Sequence, residues 1–154
     1  MIRQTDMAYV VSVEIDSRLP KRDQMRVSQS FTVELFDGRL VTVTAGFVTD
    51  CHSTPPLLHN LLPAYHCRTN LAAIVHDYLY MHWEAFDYHQ LRERRDGFPA
   101  QSKLLAMAIN DPRAYADEAY YRLMEQMAPG EWRNGLYWVA VRLFGWWRWR
   151  SFRN

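Results

Sequence analysis

The chain has 154 residues, of which 49% are hydrophobic and 14% aromatic, and its formal net charge is +1. This length and composition predict one folded domain with a sizeable core and exclude an intrinsically disordered chain. A net charge near zero argues against nucleic acid as a partner, because phosphate binding needs a basic surface. The two cysteines, Cys51 and Cys67, fit neither a disulfide framework nor a common zinc motif.

The N-terminal sequence MIRQTDMAYVV lacks the apolar stretch of a signal peptide, and no run of about 18 apolar residues follows it. We therefore expect the protein to stay in the cytoplasm of the cell that makes it, unless something else carries or releases it. The low number of cysteines agrees with a reducing compartment.

The first fifty residues have the alternating and β-branched patterns of strands. A strand, a polar loop, a hairpin and a closing strand are predicted over residues 9–15, 17–26, 31–45 and 46–50, respectively. The hairpin contains Asp37-Gly38, which favours a two-residue turn because these residue types tolerate positive φ.

After residue 50 the patterns become helical. Helices are predicted over 57–62, from Thr69 or Asn70 through His76, and over 102–109, 112–127 and 131–145, with a polar, irregular excursion over 84–98. The sequence thus predicts a single α+β domain. Its small antiparallel sheet in residues 1–50 precedes a bundle of four to five helices over 55–145 and a Trp/Arg-rich tail over 146–154.

The segment LAAIVHDYLYMHW (71–83) contains two ionisable residues in an otherwise apolar helix. His76 and Tyr80 are four residues apart and share a face, whereas Asp77 points about 100° away. Asp117 lies at the edge of the apolar stripe of a later helix, so antiparallel packing would bring its carboxylate to Nδ1 of His76. That contact would fix the imidazole tautomer and leave the other nitrogen to take a proton from water.

Two interpretations of these residues stay open. In the first, His76 is a general base, and Asp77 faces a neighbouring cleft where a carboxylate suits Ca²⁺. In the second, His76, Tyr80, Arg113 and Asp117 form a closed network that ties two helices together and does no chemistry.

Two further segments allow alternative interpretations. In FVTDCHSTPP (47–56), Asp50 and Ser53 are either ligand groups in a loop or caps of the helix that follows. In FGWWRWRSFRN (144–154), tryptophans and arginines alternate, a pattern that suits a membrane interface or a partner protein. The alternative is that the tryptophans fold back onto the core. The residues concerned are Trp146, Trp147, Arg148, Trp149 and Arg150.

Four ordered blocks, GFVTDCHSTP, AAIVHDYLY, RAYADEAYYRLM and YWVAVRLFG, resemble a family of domains of unknown function, number thirteen fifty-three, common in tailed phages and prophages. The resemblance spans about residues 40 to 145, and the matching positions are Asp50, Ser53, Pro55, His76, Asp77, Tyr80, Arg113, Ala116, Asp117 and Tyr120. It implies a phage-encoded protein that is made in the cytoplasm of a bacterial host and is associated with the virion or its tail. Its partners would be other virion proteins or further copies of itself.

The block HDYLY also resembles the HD-x-x-Y helix of secreted phospholipases A2. This resemblance implies that His76 activates a water, that Asp77 binds Ca²⁺, and that Tyr80 and Asp117 orient the histidine. The glycine-rich calcium loop of those enzymes has no counterpart here, so Asp50 would complete the cation's shell. The implied activity is calcium-dependent hydrolysis of a lipid of the host envelope.

Overall fold

The computed structural model describes residues 13–14, 24–52, 61–62, 68–87 and 109–153. These residues form five strands and four helices, and the predicted α+β order is confirmed. The strands are β1 (Val13–Glu14), β2 (Met25–Val27), β3 (Phe31–Glu34), β4 (Leu40–Val43) and β5 (Val48–Thr49). The helices are α1 (Asn70–Met81), α2 (residues 83–87), α3 (Pro112–Met127) and α4 (Trp132–Ser151).

The described strands form two small antiparallel sheets, one in the order β1-β2-β5 and one of β3 and β4. The loop predicted over 17–26 is wrong at its end, because β2 already begins at Met25. In β2, Met25 and Val27 are buried on either side of Arg26, which is the alternation of a half-buried strand. Strand β5 pairs with β2 rather than with β4. The hydroxyl of its buried residue Thr49 donates to Asp77 of α1.

The β3–β4 hairpin is confirmed, but its loop has three residues rather than the predicted two. The backbone N–H of Leu35 donates to the carbonyl of Arg39 at 2.7 Å, and the N–H of Gly38 donates back to Leu35 at 2.9 Å. Gly38 has a φ of 84°, the left-handed conformation that such a loop requires. The extra loop residue, Phe36, lies with its ring centroid 5.3 Å from that of Tyr115 on α3, so the loop is held against the helices.

Helix α1 is the centre of the fold, since it is buried on almost all sides between α3, α4 and the strands. Its buried residues are Leu71, Ala72, Ala73, Ile74, Val75, His76, Asp77, Leu79 and Tyr80. The hydroxyl of Thr69, at the N-cap, makes no cap hydrogen bond and instead lies 3.1 Å from Nε2 of His52. A helix that is apolar all round brings its few polar residues into the interior with it.

The start of α1 and both ends of α3 agree with the sequence, whereas the start of the predicted excursion does not. The prediction for 112–127 is confirmed, because the Asp111 carboxylate accepts a hydrogen bond from the N–H of Ala114 and Pro112 occupies the first turn. Helix α1 likewise begins at Asn70. The irregular excursion predicted from 84 is wrong at its start, because α2 occupies residues 83–87.

Helix α2 forms because Trp83 and Phe86, three residues apart, are both buried. Most of the other helix predictions lie outside the described residues. Of the helix predicted over 57–62, only Leu61 and Leu62 are described, in a turn and a bend. Of the one predicted over 102–109, only Ile109 is described, and it is not helical.

Helix α4 does not end at residue 145 but runs on to Ser151, so the separate tail predicted from 146 is wrong up to that residue. Gly145 lies inside α4, at a position where the helix packs against Tyr80 of α1. A Cβ atom at this position would lie 2.6 Å from the Tyr80 hydroxyl oxygen, closer than real contacts allow. Among the described helices, none is long and apolar enough to cross a membrane.

We predict opposite effects for the two glycines of α4. Gly145→Ala should lower the free energy of unfolding by about 1–3 kcal/mol, because the new methyl group must displace Tyr80. Gly135→Ala is the matched control: a Cβ there meets nothing within 4 Å, so helix propensity should raise stability by about 0.5–1 kcal/mol. Urea unfolding of both variants measures the difference, and a Gly145→Ala protein as stable as Gly135→Ala would contradict the close approach.

Candidate active site

The carboxylate of Asp117 joins α3 to α1. Its Oδ1 atom lies 3.0 Å from Nε2 of His76 and accepts a 2.6 Å hydrogen bond from the Tyr80 hydroxyl. The structure therefore brings together the three residues that the sequence placed in one site. The contact is made through Nε2 of the imidazole rather than the Nδ1 that the sequence analysis expected.

The second oxygen of Asp117 faces the arginines of two helices. Arg142 of α4 donates to Oδ2 at 2.9 Å, and Nη1 of Arg113 lies 3.7 Å away. Burial by itself would raise the pKa of this fully buried carboxyl. The hydrogen bond and charge of His76, with hydrogen bonds from Tyr80 and Arg142, outweigh burial and lower the pKa of Asp117, so it is a carboxylate.

The other imidazole nitrogen of His76, Nδ1, is not part of this hydrogen-bond network. Nδ1 has no hydrogen-bond partner among the residues that the structure describes. The imidazole is clamped between the edge of the Tyr80 ring and the ring of Tyr120, with centroid distances of 4.2 and 4.7 Å. His76 lines a cavity of about 140 Å³, and Ala140, Val141 and Phe144 of α4 form part of its wall.

Asp77 lines the same cavity but belongs to a different cluster. Its Oδ2 atom accepts a 2.6 Å hydrogen bond from the Thr49 hydroxyl. Two nitrogens of Arg148 donate to the carboxylate of Asp50, at 2.7 and 3.1 Å. Burial, opposed by Arg148 and reinforced by the charge and hydrogen bond of Asp50, raises the pKa of Asp77 to about 7. Asp77 therefore holds its proton up to about neutral pH.

This cluster bears directly on the predicted Ca²⁺ ligands. Asp50 already has Arg148 as its counterion, and Asp77 is largely uncharged below neutral pH. In the part of the chain that the structure describes, no group of three or more histidine, cysteine and acidic side chains is placed to hold a metal ion. The described residues fit a guanidinium at this position and not Ca²⁺, which needs several oxygen ligands. The Ca²⁺ prediction has no support from them and stays a prediction.

Cys51 and His52 were not predicted as site residues, yet both line the cavity. Burial, with Asp77 nearby, raises the pKa of the Cys51 thiol to about 12, so it is no nucleophile at neutral pH. His52 lies between the Tyr120 hydroxyl, 2.5 Å from Nδ1, and the Thr69 hydroxyl. Hydroxyls therefore contact both nitrogens of His52. In contrast, Nδ1 of His76 has no hydrogen-bond partner among the described residues.

The remaining predicted residues are scattered. Ser53 lies outside the described residues. Arg113 supports the site, because it contacts Asp117 and donates to the backbone carbonyls of Val141 and Arg142. Trp149 packs inward with its centroid 5.0 Å from that of Tyr80.

Fewer of the tryptophans and arginines predicted to contact a membrane or partner protein are therefore exposed than the sequence suggested. Arg148, like Trp149, is directed inward, where it contacts Asp50. Trp146, Trp147 and Arg150 are exposed.

The chain belongs to a family described as "Protein of unknown function (DUF1353)", whose model matches residues 25–141. The matched span includes α1, α3 and the first half of α4, and thus His76, Asp77, Tyr80 and Asp117. No curated protein and no solved structure matches the chain. Because the family description names no activity, the function must be argued from the geometry of the site.

The raised pKa of Asp77 predicts a pH-dependent stability difference. Between about pH 4 and 7 the folded protein holds a proton that the unfolded chain has released, so the free energy of unfolding falls as pH rises. Asp77→Asn removes this dependence and keeps a similar shape. As the pH rises through this window, the free energy of unfolding of Asp77→Asn minus that of wild type should therefore increase by up to about 1.4 kcal/mol per pH unit. Urea unfolding at pH 5 and pH 7.5 tests this, and an equal difference at both pH values would contradict it.

Proposed function

We propose that this protein is a hydrolase of ester or amide bonds, encoded by a phage and acting on the host envelope, in which His76 is the general base. One observation supports this above all: Asp117 holds Nε2 of His76, while Nδ1 has no partner among the described residues and the ring lines a cavity. A histidine held at one nitrogen and open at the other is the arrangement that proton abstraction from water requires.

In the proposed reaction, a water oxygen in the cavity attacks the carbonyl carbon while Nδ1 of His76 takes the proton. Asp117 stabilises the imidazolium that forms, and Tyr80 and Arg142 hold the carboxylate in place. The imidazolium then gives its proton to the leaving oxygen or nitrogen as the bond to carbon breaks. Arg148 also lines the cavity, where its charge is balanced by the carboxylate of Asp50.

The resemblance to secreted phospholipases A2 supports the same division of roles among His76, Tyr80 and Asp117. The apolar wall formed by Ala140, Val141 and Phe144 supports a substrate with a hydrocarbon part. The four sequence blocks typical of tailed phages and prophages support a phage origin. The bacterial envelope is the phage target that supplies esters and amides with such parts.

Hydrolysis of mixed phospholipid vesicles tests the proposal. Wild type should release fatty acid, and His76→Gln should reduce the rate by about 10²–10⁴-fold, the usual contribution of a general base. The matched control is His82→Gln, an exposed histidine just beyond the end of α1, which should keep the wild-type rate. Assays with Ca²⁺ and with EDTA decide whether the metal takes part. A folded wild type that releases nothing under either condition would refute the phospholipase activity.

A non-catalytic component of the virion is the second candidate. The observation that favours it is that Asp117 alone joins three helices, through His76 of α1, its own place in α3, and Arg142 of α4. A network of this kind can fix the packing of the helices without taking part in any reaction. Its partners would be other virion proteins or further copies of this chain.

The stability of His76→Gln distinguishes the two candidates. If His76 serves catalysis, the variant should lose activity and unfold within about 1 kcal/mol of wild type. If the contact serves only structure, its loss should cost about 3–5 kcal/mol. Urea unfolding measured beside the vesicle assay gives both values on the same protein preparation.

A further inference from the structure

Helix α4 presents a large apolar surface to solvent. Its exposed apolar residues, called here the outer face, are Trp132, Leu136, Val139, Leu143, Phe144, Trp146 and Trp147. Most of them are three or four residues apart, so they lie along one side of the helix. Leu143 and Trp147 are 61% and 71% exposed. A continuous apolar surface of this kind on a soluble domain usually marks an interaction site.

The outer face is continuous with the candidate active site. Phe144 is 68% exposed and also lines the cavity that contains His76. Its neighbour Gly145 lies against the Tyr80 hydroxyl, and Arg148, one turn further, contacts Asp50. A molecule bound on the outer face would therefore lie next to the apolar wall of the cavity.

The charges on α4 indicate the chemistry of the bound surface. The helix contains four arginines and no aspartate or glutamate, but Arg142 and Arg148 are directed inward and Arg133 is paired with Glu131. Arg150 is exposed and lies 5.6 Å above the ring of Trp146, and Arg133 lies 4.8 Å from the ring of Trp132, near the other end of the helix. Arginines beside exposed tryptophans are typical of helices that lie in the interface of an anionic membrane.

We propose that the outer face of α4 docks onto an anionic lipid surface and that a lipid acyl chain enters the cavity past Phe144. The substrate class in this proposal rests on the proposed hydrolase function, whereas docking does not. Arg150 is exposed beside these apolar side chains, a combination that the interface of an anionic membrane accommodates. A membrane supplies phosphate groups for the arginines and hydrocarbon for the aromatic rings.

Vesicle sedimentation tests the docking without any need for turnover. Wild type should bind vesicles of phosphatidylcholine with one-third phosphatidylglycerol, bind pure phosphatidylcholine vesicles weakly, and lose binding as salt rises. Leu143→Asp should weaken binding at least tenfold, and Arg150→Glu should weaken binding to the anionic vesicles only. The matched control is Leu40→Asp on β4, an exposed leucine away from α4, which should bind like wild type.

A failure of docking is distinguishable from a failure of the hydrolase. Leu143→Asp should hydrolyse a soluble short-chain ester at the wild-type rate while its hydrolysis of vesicles falls at least tenfold. If wild type hydrolyses neither substrate but binds anionic vesicles, the hydrolase is refuted and the docking stands. A folded wild type that binds no vesicles overturns the docking. A dimer that Leu143→Asp dissociates, without vesicle binding, would show instead that the outer face joins two copies.

Discussion

The buried charge of Asp117 is the constraint on which the arrangement of the helices depends. A carboxylate without exposure to water is strongly unfavourable unless hydrogen bonds and opposite charge replace its hydration. His76, Tyr80 and Arg142 provide both, and they come from the two helices that flank α3. The packing distances of these helices are therefore fixed by polar contacts as well as by the apolar core. The close approach at Gly145 follows, because it places α4 against the hydroxyl that donates to Asp117.

The two acids around His76, of which Asp77 lines the cavity and Asp117 does not, are held in opposite charge states by their surroundings. Asp117 has donors on both oxygens, which keep its pKa low in spite of burial. Asp77 is buried beside a second carboxyl, Asp50, whose counterion Arg148 offsets only part of this effect, and its pKa rises to about 7. The neighbours His76 and Asp77 thus belong to two electrostatic clusters, although they are adjacent in the chain.

Helix α4 combines properties that are seldom found on one helix. Its inward side supplies two arginines as counterions for acids, Arg142 for the buried Asp117 and Arg148 for the partly buried Asp50. Its outward side is aromatic and apolar, with Phe144 at the boundary between surface and cavity. The family model ends at residue 141, so Arg148 and most of the aromatic residues lie beyond the matched span.

The sequence by itself determined those features that depend on one element or on near neighbours. Periodicity placed His76 and Tyr80 on one face, and Asp111-Pro112 set the start of α3. Only the tertiary structure decided which nitrogen of His76 meets Asp117, and which arginines serve Asp117 and Asp50. Arg142 is 25 residues from Asp117, and Arg148 is 98 residues from Asp50. Periodicity fixes the direction of a side chain about its own helix axis, but the rotation and shift of one helix against another follow from packing across the whole core. For that reason the pairing of Arg142 with Asp117 and of Arg148 with Asp50 could not be obtained from the sequence.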